Sequence, residues 1–382
     1  MDFQLSEEQV MIQDMARQFS DKELAPNAEK WDHEKFLDRS VFTKAAELGF
    51  MGIYTSEDHG GTALTRLDSA LVFEQLARGD VSHTAMMTIH NMATWMIDRY
   101  GSDELRARYI PKLVTAEFIA SYCLTEPGSG SDAASLSTKA VRDGDDYVLT
   151  GTKTFISGAS WSDIYLVMAR TSNDGARGVS AFVIEKGTPG LSFGAVERKM
   201  GWNAQPTAQV IMEDCRIPAK NRIGDEGDGF KFAMSGLDGG RINIGCCSLG
   251  GAQAALDAAM QYTGERSQFG KQISAFQNTQ FKLADMATEL EASRLMLYRA
   301  ANLLDNQDPG ASMACAMAKR FSTDMASKIA NDALQLHGGY GYLSEYGIER
   351  IVRDLRVHQI LEGTNEIMRV IISRAMMRPS NR

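Results

Sequence analysis

Between residues 119 and 229 the chain carries several short β-prone runs with no helical period to connect them. Thr138–Val141 and Tyr147–Thr150 flank Asp143-Gly144, a hairpin signal. Ile164–Ala169, Val179–Glu185 and Thr207–Glu213 follow, with Gly, Asp and Pro between them. Strands without intervening helices lack the crossovers a parallel sheet needs, so this stretch predicts a small antiparallel barrel or sandwich. On both sides the period is helical. Ser6-Glu7-Glu8-Gln9 reads as a capping box, with Leu5 and Val10 as a staple and Val10, Met11, Met15 and Phe19 on one face. Helices are expected to end at Gly49, Gly79 and Gly101. His83–Tyr100, rich in Met and Trp, reads as a buried helix. Its His83 and His90 are read as structural, for want of a nearby acidic or cysteine partner.

After residue 229, Leu283, Ala287, Leu290, Leu297, Ala301 and Leu304 recur at helical spacing and mark a long packed helix. A break at 303–310 precedes a second helix, Ala311–Leu336, ending at His337-Gly338-Gly339. The expected architecture is mainly α with a central β domain. It comprises an N-terminal helical domain (1–118), an antiparallel β-barrel or sandwich (119–229) and a C-terminal four-helix bundle (230–382).

Composition narrows the function classes. The net charge of −9 disfavours nucleic acid or an anionic membrane as the main partner. No apolar run of about 18 residues occurs, so no membrane span is expected. The five cysteines, at 123, 215, 246, 247 and 315, fit no zinc or disulfide spacing, and no metal is expected. No secretory signal precedes the first helix. That start favours a bacterial cytoplasmic protein, with the mitochondrial matrix after presequence removal as the alternative.

Phosphate-binding motifs fail on inspection. Gly224–Gly229 is acidic where a pyrophosphate would sit, and Gly264–Lys271 has the wrong spacing for a P-loop. Other stretches carry more. Tyr122–Ser131, turning through Pro127-Gly128, presents hydroxyls and backbone N–H groups suited to an extended, partly anionic ligand. Phe155-Ile-Ser157 offers an aromatic face beside a hydroxyl. Asp238-Gly-Gly-Arg241, placed at the opening of the first C-terminal helix, is ordinarily a surface pair of little energetic weight. Arg266–Lys271 combines a cation, an aromatic and a turn. Near the C-terminus, Leu361-Glu-Gly-Thr-Asn-Glu366 lies between two expected helices, Ile351–Ile360 and Ile367–Met377. A carboxylate between apolar residues and a glycine is a candidate for a raised pKa, and Thr364 for a helix N-cap.

Taken together, Tyr122–Asp132, Lys153–Gly158, Arg266–Lys271, Gln335–Gly339 and Arg353–Glu366 resemble the acyl-CoA dehydrogenases, FAD enzymes, in the order that family has them. The resemblance spans the whole chain. Lys199–Thr207, Gly239–Ile244 and Leu283–Thr288 turn it toward the isobutyryl-CoA branch.

In such enzymes a carboxylate takes the pro-R α-proton of an acyl-CoA while a β-hydride passes to flavin N5, giving a trans-2-enoyl-CoA. The resemblance assigns the base to Glu362. It assigns the thioester oxygen to the Glu362 N–H and a ribityl hydroxyl. Some relatives carry the base one residue before the matching arginine, but that residue here is Gly240. Where the family often has Tyr before the base, this chain has Leu361, and where many relatives have Trp it has Phe155. The implied flavin contacts are Tyr122, Leu124, Thr125, Gly130, Ser131, Phe155, Ser157, Thr364 and Glu366. From a neighbouring subunit come Arg266, Gln268, Phe269, Gln277, Gln335, Gly338 and Gly339. Ser131, Asp238, Arg241 and Gly363 would meet the acyl-CoA.

The expected activity is dehydrogenation of a short branched-chain acyl-CoA, isobutyryl-CoA to methacrylyl-CoA in valine catabolism. Electrons would leave to electron-transferring flavoprotein, from a homotetramer built as a dimer of dimers. The alternatives are a short straight-chain or 2-methylbutyryl-CoA dehydrogenase, or an oxygen-using oxidase or monooxygenase relative.

Overall fold

The computed structural model describes residues 4–377. Its first part is six α-helices: α1 (Glu7–Phe19), α2 (Ala28–Glu34), α3 (Arg39–Glu47), α4 (Arg66–Gly79), α5 (Val81–Tyr100) and α6 (Asp103–Val114). The capping box forms at α1, where Ser6 Oγ accepts from the Gln9 N–H and the Gln9 side chain accepts from the Ser6 N–H, both at 3.1 Å. Thr65 and Asp68 repeat the device at α4.

Asp80 caps α5, and this corrects one expectation. His83 does have an acidic partner. Asp80 Oδ2 accepts from the His83 N–H at 2.8 Å and lies 2.7 Å from its ring Nδ1, all buried. The contact is a helix cap, so the residue's structural reading stands for a different reason. His90 is equally internal. Its Nε2 lies 3.2 and 3.1 Å from the carbonyls of Met51 and Leu113, and its Nδ1 accepts from the Ala120 N–H at 3.1 Å. Those partners fix the Nε2–H tautomer, and burial lowers its pKa to about 4, so it stays neutral.

The β domain holds β1 (Ala120–Cys123), β2 (Lys139–Asp143), β3 (Asp146–Ser157), β4 (Ile164–Arg170), β5 (Val179–Glu185), β6 (Leu191–Phe193), β7 (Thr207–Pro218) and β8 (Arg222–Ile223). They form one sheet in the order β6-β7-β3-β2-β4-β5-β8. Its pairings are antiparallel except that β1 runs parallel beside β4 and one β2–β4 residue pair joins in parallel. The β3–β7 half packs on the β4–β5 half. Tyr165, Val167, Ala169, Phe182 and Ile184 face Leu149, Ile156, Val210 and Met212. The opposite face of β4, Ile164, Leu166 and Met168, packs against α5 and α6. Burial on both faces explains why β4 reads as a continuous apolar run rather than an alternation.

The last part contains α7 (Gly229–Glu265), a small hairpin of β9 (Ser267–Gln268) and β10 (Lys271–Gln272), then α8 (Gln277–Asp305), α9 (Ala311–His337), α10 (Ile348–Arg356) and α11 (Asn365–Met377). α7 runs through both helical cores. Phe232 and Ala233 join the cluster around α5 and α6, while Ile242, Ile244 and Leu249 join the bundle. Two expected boundaries move. The segment expected as one helix over 351–360 is helical only to Arg356, then tightens into a 3₁₀ turn. There His358 sits fully buried between Trp202 Nε1 (3.2 Å) and Ser248 Oγ (2.7 Å). Asp238 and Arg241 lie well inside α7 rather than at its start. Among the described residues no helix is long and apolar enough to cross a membrane.

Candidate active site

Glu362 sits in the short link between α10 and α11, and its backbone is unusual. Its φ is +53°, a left-handed conformation rare outside glycine, and Gly363 follows at +90°. Thr364 then starts α11, its Oγ1 accepting from the Ile367 N–H at 3.3 Å. The turn drives the Glu362 side chain inward. The residue is half-buried as a whole, but Oε2 is sealed from solvent and has no hydrogen-bond partner among the described residues.

Burial raises the Glu362 pKa to about 7, against the opposing charges of Lys319 and then Arg241. A carboxylate in this range can accept a proton near neutrality, and one without partners has lone pairs to offer. The Glu362 N–H makes no backbone hydrogen bond among the described residues.

Gly240 on α7 makes room for this carboxylate. A Cβ there would lie 2.4 Å from Glu362 Oε2 and 3.1 Å from Met92 Sδ. A side chain at 240 and the tip of Glu362 therefore address one point in space. Around it gather further orphaned groups: Tyr122 OH, Asn243 Oδ1, Arg66 Nη1 and Arg241 Nε are buried without partners among the described residues. Buried polar atoms are nearly always satisfied, so this concentration marks a place where a ligand completes the bonding.

Asp238 and Arg241 pair through Oδ1 and Nη1, with Ser312 Oγ also donating to Asp238 at 3.1 Å. The surface reading of that pair is corrected, because Arg241 is 5% exposed.

The Tyr122–Ser131 loop leaves β1 and closes through a tight turn, with Glu126 and Ser129 exchanging backbone bonds of 3.0 and 3.1 Å. Two buried charges hold it. Lys153 Nζ donates to the Leu124 carbonyl (3.0 Å) and to Glu126 Oε1 (2.8 Å). The Glu126 carboxylate also accepts from the N–H groups of Ser137 and Thr138. Just beyond Lys153 the β3–β7 register slips, and the Thr154 N–H turns to the Thr125 carbonyl at 2.9 Å. This bulge throws Phe155, at φ +57°, outward until it is 67% exposed. Gly130 and Ser131 are exposed and Ser157 half-buried, so the loop and the bulge present one open face. An open aromatic beside a loop of hydroxyls fits a planar ring system with an anionic tail.

A second group of the expected contact residues lies elsewhere in the chain. Arg266, Gln268, Gln335, Gly338 and Gly339 line a groove of about 380 Å³ with Tyr262, His337 and Tyr340. The β9–β10 hairpin turns at Phe269 and Gly270, both with positive φ, and Phe269 stands 94% exposed. Gln277 is the first residue of α8. Gly240 and Arg266 are 26 residues apart along α7 and its end, roughly 39 Å at 1.5 Å per residue. Within one chain the Glu362 site and this groove are therefore distinct places. Glu366, the last of the expected contacts, is exposed on α11.

Several neighbours escaped the sequence reading. Arg66 is buried, its guanidinium 3.5 Å from the Tyr54 ring centre and 4.7 Å from that of Trp95. The Tyr54 hydroxyl accepts from Asn243 at 3.1 Å. Lys319 is fully buried beneath residues 363 and 365. A lysine ending the apolar run Ala314–Ala318 was the one available sign.

Comparison with known proteins agrees along the full length. Family descriptions match in succession: acyl-CoA dehydrogenase, N-terminal domain, over residues 6–117, middle domain over 121–215 and C-terminal domain over 227–377. Isobutyryl-CoA dehydrogenase, mitochondrial, of Dictyostelium discoideum is 56% identical over 373 residues, covering 97% of this chain and 90% of that one. The structure of butyryl-CoA dehydrogenase from Megasphaera elsdenii superposes with a TM-score of 0.96 at 37% identity, covering 99% of this chain and 100% of that one. The FAD complex of PigA superposes at 0.95 and 35%, covering 98% and 99%. The chain belongs to the acyl-CoA dehydrogenase family.

Proposed function

We propose that this enzyme oxidises isobutyryl-CoA to methacrylyl-CoA, with FAD as cofactor, electron-transferring flavoprotein as acceptor and Glu362 as base. The observation that carries the reading is the unpartnered, sealed Glu362 Oε2, raised in pKa, in the space Gly240 leaves open. An acyl-CoA α-proton is a weak acid, so a base shielded from water gains proton affinity where it is needed. The unpartnered Glu362 N–H is the chain's own donor for the thioester oxygen, where enolate charge develops. Bound flavin supplies the hydride acceptor. Phe155, Tyr122, Thr125 and Ser131 are the residues that would hold its ring and tail.

The isobutyryl-CoA relative supports the substrate assignment, and the FAD-bound neighbour supports the cofactor. The separation of the Arg266 groove from Glu362 supports a flavin shared between subunits, which needs at least a dimer; the assembly proposed is a homotetramer arranged as a dimer of dimers. Anaerobic mixing of flavin-loaded protein with isobutyryl-CoA tests the reading. Bleaching of the flavin absorbance is expected, and Glu362→Gln should abolish it while keeping the colour. Normal bleaching in that variant removes Glu362 as the base.

A further inference from the structure

Lys319, on α9, is a fully buried cation with no carboxylate within ion-pair distance among the described residues. An ammonium in that position is costly unless something nearby repays its desolvation. Its Nζ donates to the Gly363 carbonyl at 2.8 Å and to Asn365 Oδ1 at 3.0 Å. Asn365 extends the link, its Nδ2 donating to Asp324 Oδ1 at 2.7 Å and to Thr323 Oγ1 at 2.9 Å, both again on α9. Three residues of one helix thus grip the two positions bracketing Thr364. The first of these, Gly363, directly follows Glu362, whose left-handed φ needs holding.

The charges around Glu362 are few. Arg241 and Cys247 approach from α7, Tyr54 from the segment after α3, Tyr122 from β1 and Lys319 from α9. Among the described residues the cations here are Lys319, Arg241 and, from α4, Arg66. Arg66 lies against the Tyr54 and Trp95 rings, Arg241 is already engaged by Asp238, and the two that oppose the shift of Glu362 are Lys319 and Arg241. Lys319 in turn faces Glu362, Arg241, Asp324, Glu366 and His358.

We propose that Lys319 is a positioning residue for the base. It locks the Glu362–Gly363 backbone through one hydrogen bond and, by its charge, keeps the Glu362 carboxylate in the proton-accepting form. The inference rests on Glu362 being the base. Burial lowers the Lys319 pKa to about 8, so it is largely cationic at neutrality, and it is the largest influence opposing the upward shift of Glu362.

The test is Lys319→Met in flavin-loaded enzyme, with Lys319→Arg as the charge-conserving control. Two readouts are needed: the pH profile of flavin bleaching by isobutyryl-CoA, and the infrared band of the protonated Glu362 carboxyl, assigned by its loss in Glu362→Gln. Without the charge, the acid limb and the infrared transition should both move up by about one pH unit, a roughly tenfold loss of rate below neutrality. Lys319→Arg should restore both. A uniform rate loss at every pH, with the infrared transition unmoved, overturns the electrostatic role. If Lys319→Met does not retain flavin, Lys319→Gln carries the same measurement. Glu362→Gln separates the two readings. Full turnover in it removes the base itself, whereas lost turnover beside an unmoved limb in Lys319→Met overturns only the role of Lys319.

Discussion

Gly240→Ala should separate stability from catalysis. The added methyl would sit 2.4 Å from Glu362 Oε2, 3.1 Å from Glu362 Cδ and 3.1 Å from Met92 Sδ. All three belong to the ends of flexible side chains, so the fold can yield without moving backbone. Replacing a glycine inside α7 also favours the helix by roughly 0.8–1.0 kcal/mol. Thermal stability is therefore expected to stay level or rise. The carboxylate, however, must retreat by roughly 1 Å to reach ordinary contact distance. A misplacement of that size costs on the order of 10²-fold in rate. Thermal melts of flavin-loaded protein and single-turnover bleaching with isobutyryl-CoA give the two numbers. A bleaching rate equal to wild type would refute the crowding argument. So would a drop in melting temperature, since it would mean the methyl strains the helix packing instead.

Further expectations follow from the same geometry. Glu362 has a native pKa of about 7, above its unfolded value, so the native state holds the extra proton between those values. Its contribution to stability thus falls as pH rises through that window. Glu362→Gln should be more stable than wild type at pH 8, with the gap closing in acid. A gap independent of pH in denaturant titrations contradicts this. Lys153→Met leaves the buried Glu126 carboxylate without its cation and should cost about 3–5 kcal/mol, read from chemical unfolding. A cost below 1 kcal/mol would show the pair to be dispensable. Arg266→Ala should weaken flavin retention and loosen the assembly while leaving Glu362 untouched. An unchanged flavin-to-protein ratio would take Arg266 out of the site.

The sequence was informative where local chemistry decides structure. The capping box at Ser6, the hairpin at Asp143-Gly144 and the cap at Thr364 depend on residues within three or four positions, and each forms. The limits appear where distant segments decide. The inward turn of Glu362 depends on a left-handed backbone gripped by Lys319 from over forty residues upstream. Asp238–Arg241 looked like a surface pair because spacing cannot tell an exposed helical face from one covered by another domain. Arg66, Tyr54 and Asn243 come together from three segments, with no short motif linking them. The parallel β1–β4 contact escaped for a similar reason. It joins strands about forty residues apart, and a short edge strand carries little periodicity.

The central claim is that this site oxidises a short branched acyl-CoA through Glu362. The direct measurement is anaerobic titration of the flavin-loaded protein with isobutyryl-CoA, butyryl-CoA and isovaleryl-CoA, following the flavin absorbance. The account predicts bleaching fastest with isobutyryl-CoA, with an acid limb near the Glu362 pKa that disappears with the activity in Glu362→Gln. A yellow protein that none of the three substrates bleaches would contradict it.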